Sequence, residues 1–250
     1  MTDLEAKRNQ LESLRAAYRL FGQGDLMKFW LFDEHHCIDK WVHYFSVYEK
    51  WFSPYRGKDI VFVEVGVQNG GSAQMWKKYF GKSAHIVGID INPNCKQLEE
   101  EQIAIEIGSQ EDPSFWAAFK GKYPRVDILL DDGGHTMNQQ IVTFREMFPH
   151  IKDGGLYMCE DCHTSYWEKF GGGLHNPDSY IEFTKRLIDE LNAFHTSGAI
   201  VALPGHIDHR HENQRHHDRP DAFEYPDHNR VVLIAGEEHG DKEDDQERGE

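Results

Sequence analysis

Asp131 and Asp132 stand side by side, His135 follows three residues after Asp132, and Glu160 and Asp161 form a second acidic pair. Carboxylates crowded together repel, so such a group needs a proton or a counter-ion. Asp132, Glu160 and Asp161 offer only oxygen, which suits a hard cation, magnesium first and calcium or manganese after it. Asp131 is a candidate fourth ligand, or a residue facing a bound cofactor. A cation held there would grip two oxygens of a substrate and lower the pKa of a hydroxyl. His135 is placed to act as general base and take that proton near neutral pH. The competing assignment is a solvated acidic rim with His135 as a helix cap.

A second constellation lies upstream. Ile60 to Val65 is a short β-branched run that ends at Gly66, with Gly70 and Gly71 close behind. Ser72 is a good N-cap for a helix over 73–80, and a second strand over 85–89 ends at Asp90. This β-α-β unit has the logic of a nucleotide site. The glycine turn admits a ligand close to the backbone, and an acid ending the second strand can accept from both ribose hydroxyls. A dinucleotide turn spelled G-x-G-x-x-G is broken here by Val67, and Glu64 stands two residues before Gly66. Ser109 and Gln110, after the third strand, sit where a hydroxyl or amide would read an adenine edge; a plain turn with a cap is the alternative.

Five strands are expected to position these groups: 60–65, 85–89, 103–107, 126–130 and 156–159, with a turn at 153–155. Helices over 73–80, 113–119 and 136–148 fall between them. Such alternation predicts a doubly wound, mostly parallel α/β sheet. Ligands bind such sheets beyond the carboxyl ends of the strands, where Asp90, Ser109, Asp131, Asp132, His135, Glu160 and Asp161 all lie. Ahead of the sheet, 2–21 reads as an amphipathic helix. The stretch 39–55 carries Trp41, Tyr44, Tyr48, Trp51 and Phe52 at helical spacing, a stripe suited to packing on the sheet. Its start is also suited to closing Lys40, His43 and Tyr44 over a ligand. Later come a triple-glycine loop at 171–173, a helix over 177–195 and strands over 199–203 and 231–235.

The resulting organisation is a helical cap or lid at 1–56, one α/β domain at 57–236 with a histidine-rich insertion at 206–228, and a disordered acidic tail at 237–250. At 250 residues the chain can bury a full core, and its formal charge of −16 argues against nucleic acid or anionic membranes as partners. No export signal is visible and no apolar run approaches bilayer length, so a cytoplasmic location is expected. The four cysteines are expected as reduced thiols.

Two resemblances sharpen this reading. The E-x-G-x-x-x-G-G pattern from Glu64 resembles the first motif of class I S-adenosylmethionine-dependent methyltransferases. The LDDGGH run from Leu130 to His135, the FPHIKDGGLY run from Phe148 to Tyr157, Glu160-Asp161 and Tyr166-Trp167 together resemble the macrocin O-methyltransferase group, magnesium-dependent sugar O-methyltransferases of macrolide pathways. The segment 39–54 also resembles that group, so the likeness covers about 39–180. It implies a Rossmann-like class I methyltransferase fold, S-adenosyl-L-methionine and Mg2+ as cofactors, and a small-molecule sugar or glycoside acceptor. It implies Asp132, Glu160 and Asp161 as magnesium ligands and His135 as base. Glu64, Gly66, Asp90, Ser109 and Gln110 would bind the methyl donor, with Asp131, Lys40 and Tyr44 beside it. A homo-oligomer is the expected assembly. The chain departs from the group after 195, where the histidine-rich stretch intervenes.

Other readings compete. A similar core occurs in proteins called cephalosporin hydroxylases. A nicotinamide-dependent oxidoreductase would use Asp90 but has no use for the acid cluster. A scaffold without catalysis would leave the acidic convergence unexplained. Cys159, Cys162 and His163 spell C-x-x-C-H, a haem attachment pattern, but Cys159 falls in a buried strand. The six histidines of 206–228 read as a solvated loop with weak metal affinity.

Overall fold

A computed structural model of the chain describes Glu12, Arg15 and residues 24–32, 37–196 and 230–234. Apart from Glu12 and Arg15, the helix expected at 2–21 lies outside the described residues. So do the strand at 199–203, the histidine-rich stretch and the acidic tail.

Six parallel strands make the sheet: β1 (Val61–Val65), β2 (His85–Asp90), β3 (Ile103–Ile107), β4 (Val126–Asp131), β5 (Ile151–Cys159) and β6 (Arg230–Leu233). Their spatial order is β3-β2-β1-β4-β5-β6. The order reverses direction between β1 and β4, and that switch point opens a crevice at the strand ends. Helices α1 (Asp25–Phe32), α2 (Tyr44–Phe52), α3 (Gly71–Phe80), α4 (Pro113–Lys122), α5 (Met137–Met147) and α6 (Tyr180–Leu191) complete the described domain.

Side chains alternate across each strand and so build two cores. On one face Phe62, Ile86, Ile128 and Leu130 pack against Tyr48, Phe52 and Trp76 of α2 and α3. On the other, Val63, Val87 and Leu129 pack against Trp116, Phe144 and Phe183 of α4, α5 and α6. The aromatic stripe of the front segment is thus core, but only Tyr44, Tyr48 and Phe52 carry it in full. These sit four residues apart on α2, whereas Trp41 precedes the helix.

Two local expectations change. Ser72 does not cap α3; left-handed Gly70 does, and the Ser72 hydroxyl turns inward to Glu64. The turn expected at 153–155 is part of β5, which begins at Ile151. Gly154, at φ +75°, lets the strand absorb a register shift against β4 and continue.

Candidate active site at the sheet switch point

A cleft of about 530 Å³ lies over the carboxyl ends of β1, β2 and β4. Asp90, Ser109 and Val67 line one end of it, and Asp132, His135 and Asp161 the other. Backbone bonds carry the strand register past the strand ends: Gly66 N–H donates to Ile89 O, Asp132 N–H to Val65 O and Glu160 N–H to Asp131 O. Gly66 is obligatory at the crossing point. Its φ is +94°, and a Cβ there would come within 2.0 Å of the Asp132 carbonyl oxygen. Gly71 is as tight, with its missing Cβ 2.1 Å from Cys37 O.

At one end, Asp90 Oδ2 accepts from Val67 and Gln68 N–H at 2.9 and 3.1 Å, and Oδ1 accepts from Asn92 N–H at 2.8 Å. The acid therefore shapes the glycine turn, and its remaining lone pairs face the cleft. At the other end, single oxygen or nitrogen atoms of Asp132, His135 and Asp161 come within 4.8 Å of one another. His135 Nε2 lies 3.7 Å from Asp132 Oδ1 and 3.5 Å from Asp161 Oδ2. Its Nδ1 is buried with no partner among the described residues. Both His135 and Asp161 adopt left-handed backbone, at φ +57° and +51°. Non-glycine residues rarely do so, and such strain concentrates at functional sites. Thr164 fastens the two together, its hydroxyl donating to His135 O at 3.0 Å and to Asp161 O at 2.9 Å.

Behind this rim lies a cation supplied by the chain itself. Lys40 is buried, and its ammonium contacts Asp132 at 2.5 Å, Glu160 at 2.9 Å and Glu64 at 3.2 Å. Burial alone would lower the Lys40 pKa; the three carboxylates reverse that and hold it well above the ordinary value. Glu160 and Glu64 are both pushed up, chiefly by burial, with Asp132 adding repulsion and Lys40 opposing it. Tyr48 donates to Glu160, and Tyr44 donates to Asp161 at 2.7 Å. Burial and the Asp161 charge raise the Tyr44 phenol far above its ordinary pKa.

The predicted residues therefore divide. Asp90, Ser109, Gly66, Lys40, Asp132, His135, Glu160 and Asp161 meet at one cleft. Glu64 does not line it. Its carboxylate points into the α2–α3 core and is engaged by Lys40 and Ser72, because Glu64 alternates with the strand residues that face α4. Asp131 is likewise withdrawn. As the neighbour of Asp132 it faces the opposite way, where it accepts from Gln110 and Tyr157, and burial raises its pKa to about 6. Gln110 reaches the cleft, but its amide is engaged by Asp131, Thr143 and the Gly134 N–H. Tyr44 is buried and meets the site through Asp161 alone. Tyr48, expected only as part of the packing stripe, also reaches the site through Glu160; its i+4 spacing from Tyr44 was the available signal.

A parallel sheet ordered 3-2-1-4-5-6, with a glycine turn after its first strand and an acid ending its second, defines a Rossmann-like α/β fold. Solved structures agree. The MycE methyltransferase of the mycinamycin biosynthetic pathway, in complex with Mg and SAH, superposes with a TM-score of 0.63 at 27% identity over 82% of this chain and 57% of that one. A further MycE structure that also contains mycinamycin VI gives 0.59 at 28% identity, over 78% of this chain and 48% of that one. No protein-family profile matches the chain. In sequence the chain is similar to several curated sugar O-methyltransferases. Demethylmacrocin O-methyltransferase of Streptomyces fradiae is 33% identical over 182 residues, 68% of this chain and 46% of the relative. The 8-demethyl-8-alpha-L-rhamnosyl tetracenomycin-C 2'-O-methyltransferase of Streptomyces olivaceus is 34% identical over 167 residues, 63% of this chain and 44% of the relative. The chain thus spans a little under half the length of these relatives. None of its described helices is long and apolar enough to cross a membrane.

Proposed function

We propose that the chain is an S-adenosyl-L-methionine-dependent, Mg2+-dependent O-methyltransferase acting on a hydroxyl of a sugar or glycoside. The observation that carries this reading is the convergence of Asp132, His135 and Asp161 within 4.8 Å at the end of the cleft that Asp90 and Gly66 bound. The donor set fits a hard cation, being mainly carboxylate oxygen from two neighbouring strand ends. Asp132 and Asp161 would hold the ion, with Glu160 behind them, and it would supply Lewis acidity to two acceptor oxygens. Asp90, Ser109 and the glycine turn would hold the methyl donor.

The remaining work belongs to the chain's own side chains. His135 Nε2 takes the hydroxyl proton as the acceptor oxygen attacks the sulfonium methyl. Tyr44 fixes Asp161 through its hydroxyl. Lys40 and Tyr48 hold Glu160 by hydrogen bonds, and the Lys40 charge offsets part of the repulsion among the surrounding carboxylates. Of the segment 1–56, the described residues 37–56 act as a cap because they bring in Lys40, Tyr44 and Tyr48.

The test is isothermal titration of S-adenosylhomocysteine and of NADH, each with magnesium and with a chelator, followed by methyl-transfer assays on rhamnosyl glycosides. Binding of S-adenosylhomocysteine, no binding of NADH and magnesium-dependent transfer are expected. NADH binding in the micromolar range, with none of S-adenosylhomocysteine, would replace this function with that of an oxidoreductase.

A further inference from the structure

Beyond Asp161 the chain lays down a line of rings. Trp41 lines the cleft beside Asp161 and meets His163 edge-on at 6.4 Å between centroids. His163 meets Trp167 at 4.7 Å, and Trp167 meets Phe170 at 5.9 Å. The line runs from the reacting end of the cleft outward to solvent. Trp167 is 37% exposed and its neighbour Tyr166 51% exposed, although both are large apolar groups. Exposed aromatic surface linked through ring contacts to a polar cleft marks a place where a ligand is expected to complete the burial.

The strip is also held in fixed register with the reacting groups. It rises from the 3-10 segment Cys162–Tyr166, which begins immediately after Asp161. Thr164 of that segment ties Asp161 to His135, and Trp167 N–H donates to Thr164 O at 2.9 Å. On the outer side Gly172 N–H donates to Trp167 O, and Gly173 N–H to Ser165 O. The glycine run at 171–173 is therefore tied down and steadies the strip. Lys169 Nζ lies 5.5 Å from the Trp167 ring and 5.3 Å from that of Phe170 at the far edge.

We propose that Trp41, His163 and Trp167 form the acceptor surface: a glycoside lies along it, its sugar C–H face on the Trp41 indole with His163 edge-on beside it, and its hydroxyl edge toward Asp161 and His135. The apolar part attached to the sugar extends over Trp167 and Tyr166. The chemistry matches, since a pyranose has an apolar C–H face and a polar edge, and indole offers a flat apolar face. This inference rests on the methyl-transfer reading and adds to it the residues that select the acceptor.

The experiment titrates the full chain with S-adenosylhomocysteine, 4-nitrophenyl α-L-rhamnopyranoside and methyl α-L-rhamnopyranoside, then repeats this for Trp167→Ala and Trp167→Phe. The expected result for Trp167→Ala is about tenfold weaker binding of the aryl glycoside, and for Trp167→Phe a loss of about threefold or less. S-adenosylhomocysteine should bind all three proteins equally, which also reports that they are folded. Parent-like binding of the aryl glycoside by Trp167→Ala overturns the strip while the methyl-transfer reading stands. S-adenosylhomocysteine binding without either glycoside binding to the parent overturns it too. Glycoside binding that depends on Trp167, without S-adenosylhomocysteine binding, supports the strip and sinks the methyl-transfer reading instead.

Discussion

Replacing Lys40 with Met keeps most of the buried stem and deletes the ammonium that Asp132, Glu160 and Glu64 share. Removing one partner of a buried ion pair costs about 3–5 kcal/mol, because the other is left uncompensated. A second route reaches a similar size. The orphaned carboxylates relieve themselves by taking a proton, and at pH 7 protonating a carboxyl of ordinary pKa costs about 1.36 × 2.7, or about 3.7 kcal/mol. At pH 5 the same proton costs about 1 kcal/mol. The sign follows from linkage. Glu160 and Glu64 already stand above their ordinary pKa, through burial first and Asp132 repulsion second, and losing Lys40 raises them further. A carboxyl with a raised folded-state pKa contributes stability at low pH that is lost as the pH rises through that pKa. The deficit of Lys40→Met against the parent should therefore be small at pH 5 and reach about 3–5 kcal/mol at pH 7. Urea unfolding of both proteins at the two pH values, in chelator, measures it. A deficit equal at both pH values, or below about 1 kcal/mol at pH 7, would refute the ammonium as the counter-charge of the site.

Gly66→Ala should prevent stable folding or cost more than about 3 kcal/mol, since the new methyl meets Asp132 O at 2.0 Å and φ is +94°; circular dichroism melting checks it. Asp127, buried on β4 beside the start of β1, accepts from Val61 N–H and pairs with Arg125 and Lys152. Burial would raise its pKa, but the hydrogen bond from Lys152 and those from Val61 and Arg125 outweigh that and lower it. A lowered carboxyl contributes stability above its ordinary pKa and loses it as the pH falls, so Asp127→Asn should cost about 3 kcal/mol at pH 7 and much less near pH 3 by urea unfolding. Under the proposed function, His135→Ala should cut methyl transfer at least about a hundredfold and leave S-adenosylhomocysteine affinity within about twofold, whereas Asp161→Asn should weaken Mn2+ binding followed by paramagnetic resonance.

The frame of the site was legible because it rests on local signals. The apolar run into Gly66, the strand ending at Asp90, and the acids placed just after β4 and β5 are features of a few residues each, and the parallel sheet aligns them on one rim. What stayed hidden depends on facing. Glu64 and Asp131 have the right residue types near the right strand ends, but strand alternation turns their side chains away from the cleft, and Gln110 reaches it with its amide already engaged. That the Lys40 ammonium is shared among carboxylates from three strand ends is visible only once those strands are side by side. The turn at 153–155 was misplaced for a similar reason: a glycine pair that serves a bulge looks like one that ends a strand.

The clamp on the Glu160–Asp161 turn comes from far along the chain. Ile234 N–H donates to Cys159 O at 2.9 Å, and Ile234 O accepts from Cys162 N–H at 3.0 Å, so the last described residue brackets the turn from both sides. Synthesis runs from the amino terminus at roughly 5–20 residues per second, so Ile234 follows Asp161 out of the ribosome by about 4–15 s. During that interval β5 lacks the strand that pairs with it in the finished sheet. Until then the two hydrogen bonds that bracket the turn are missing, so the geometry around Glu160 and Asp161 is completed by the last-made of the described residues.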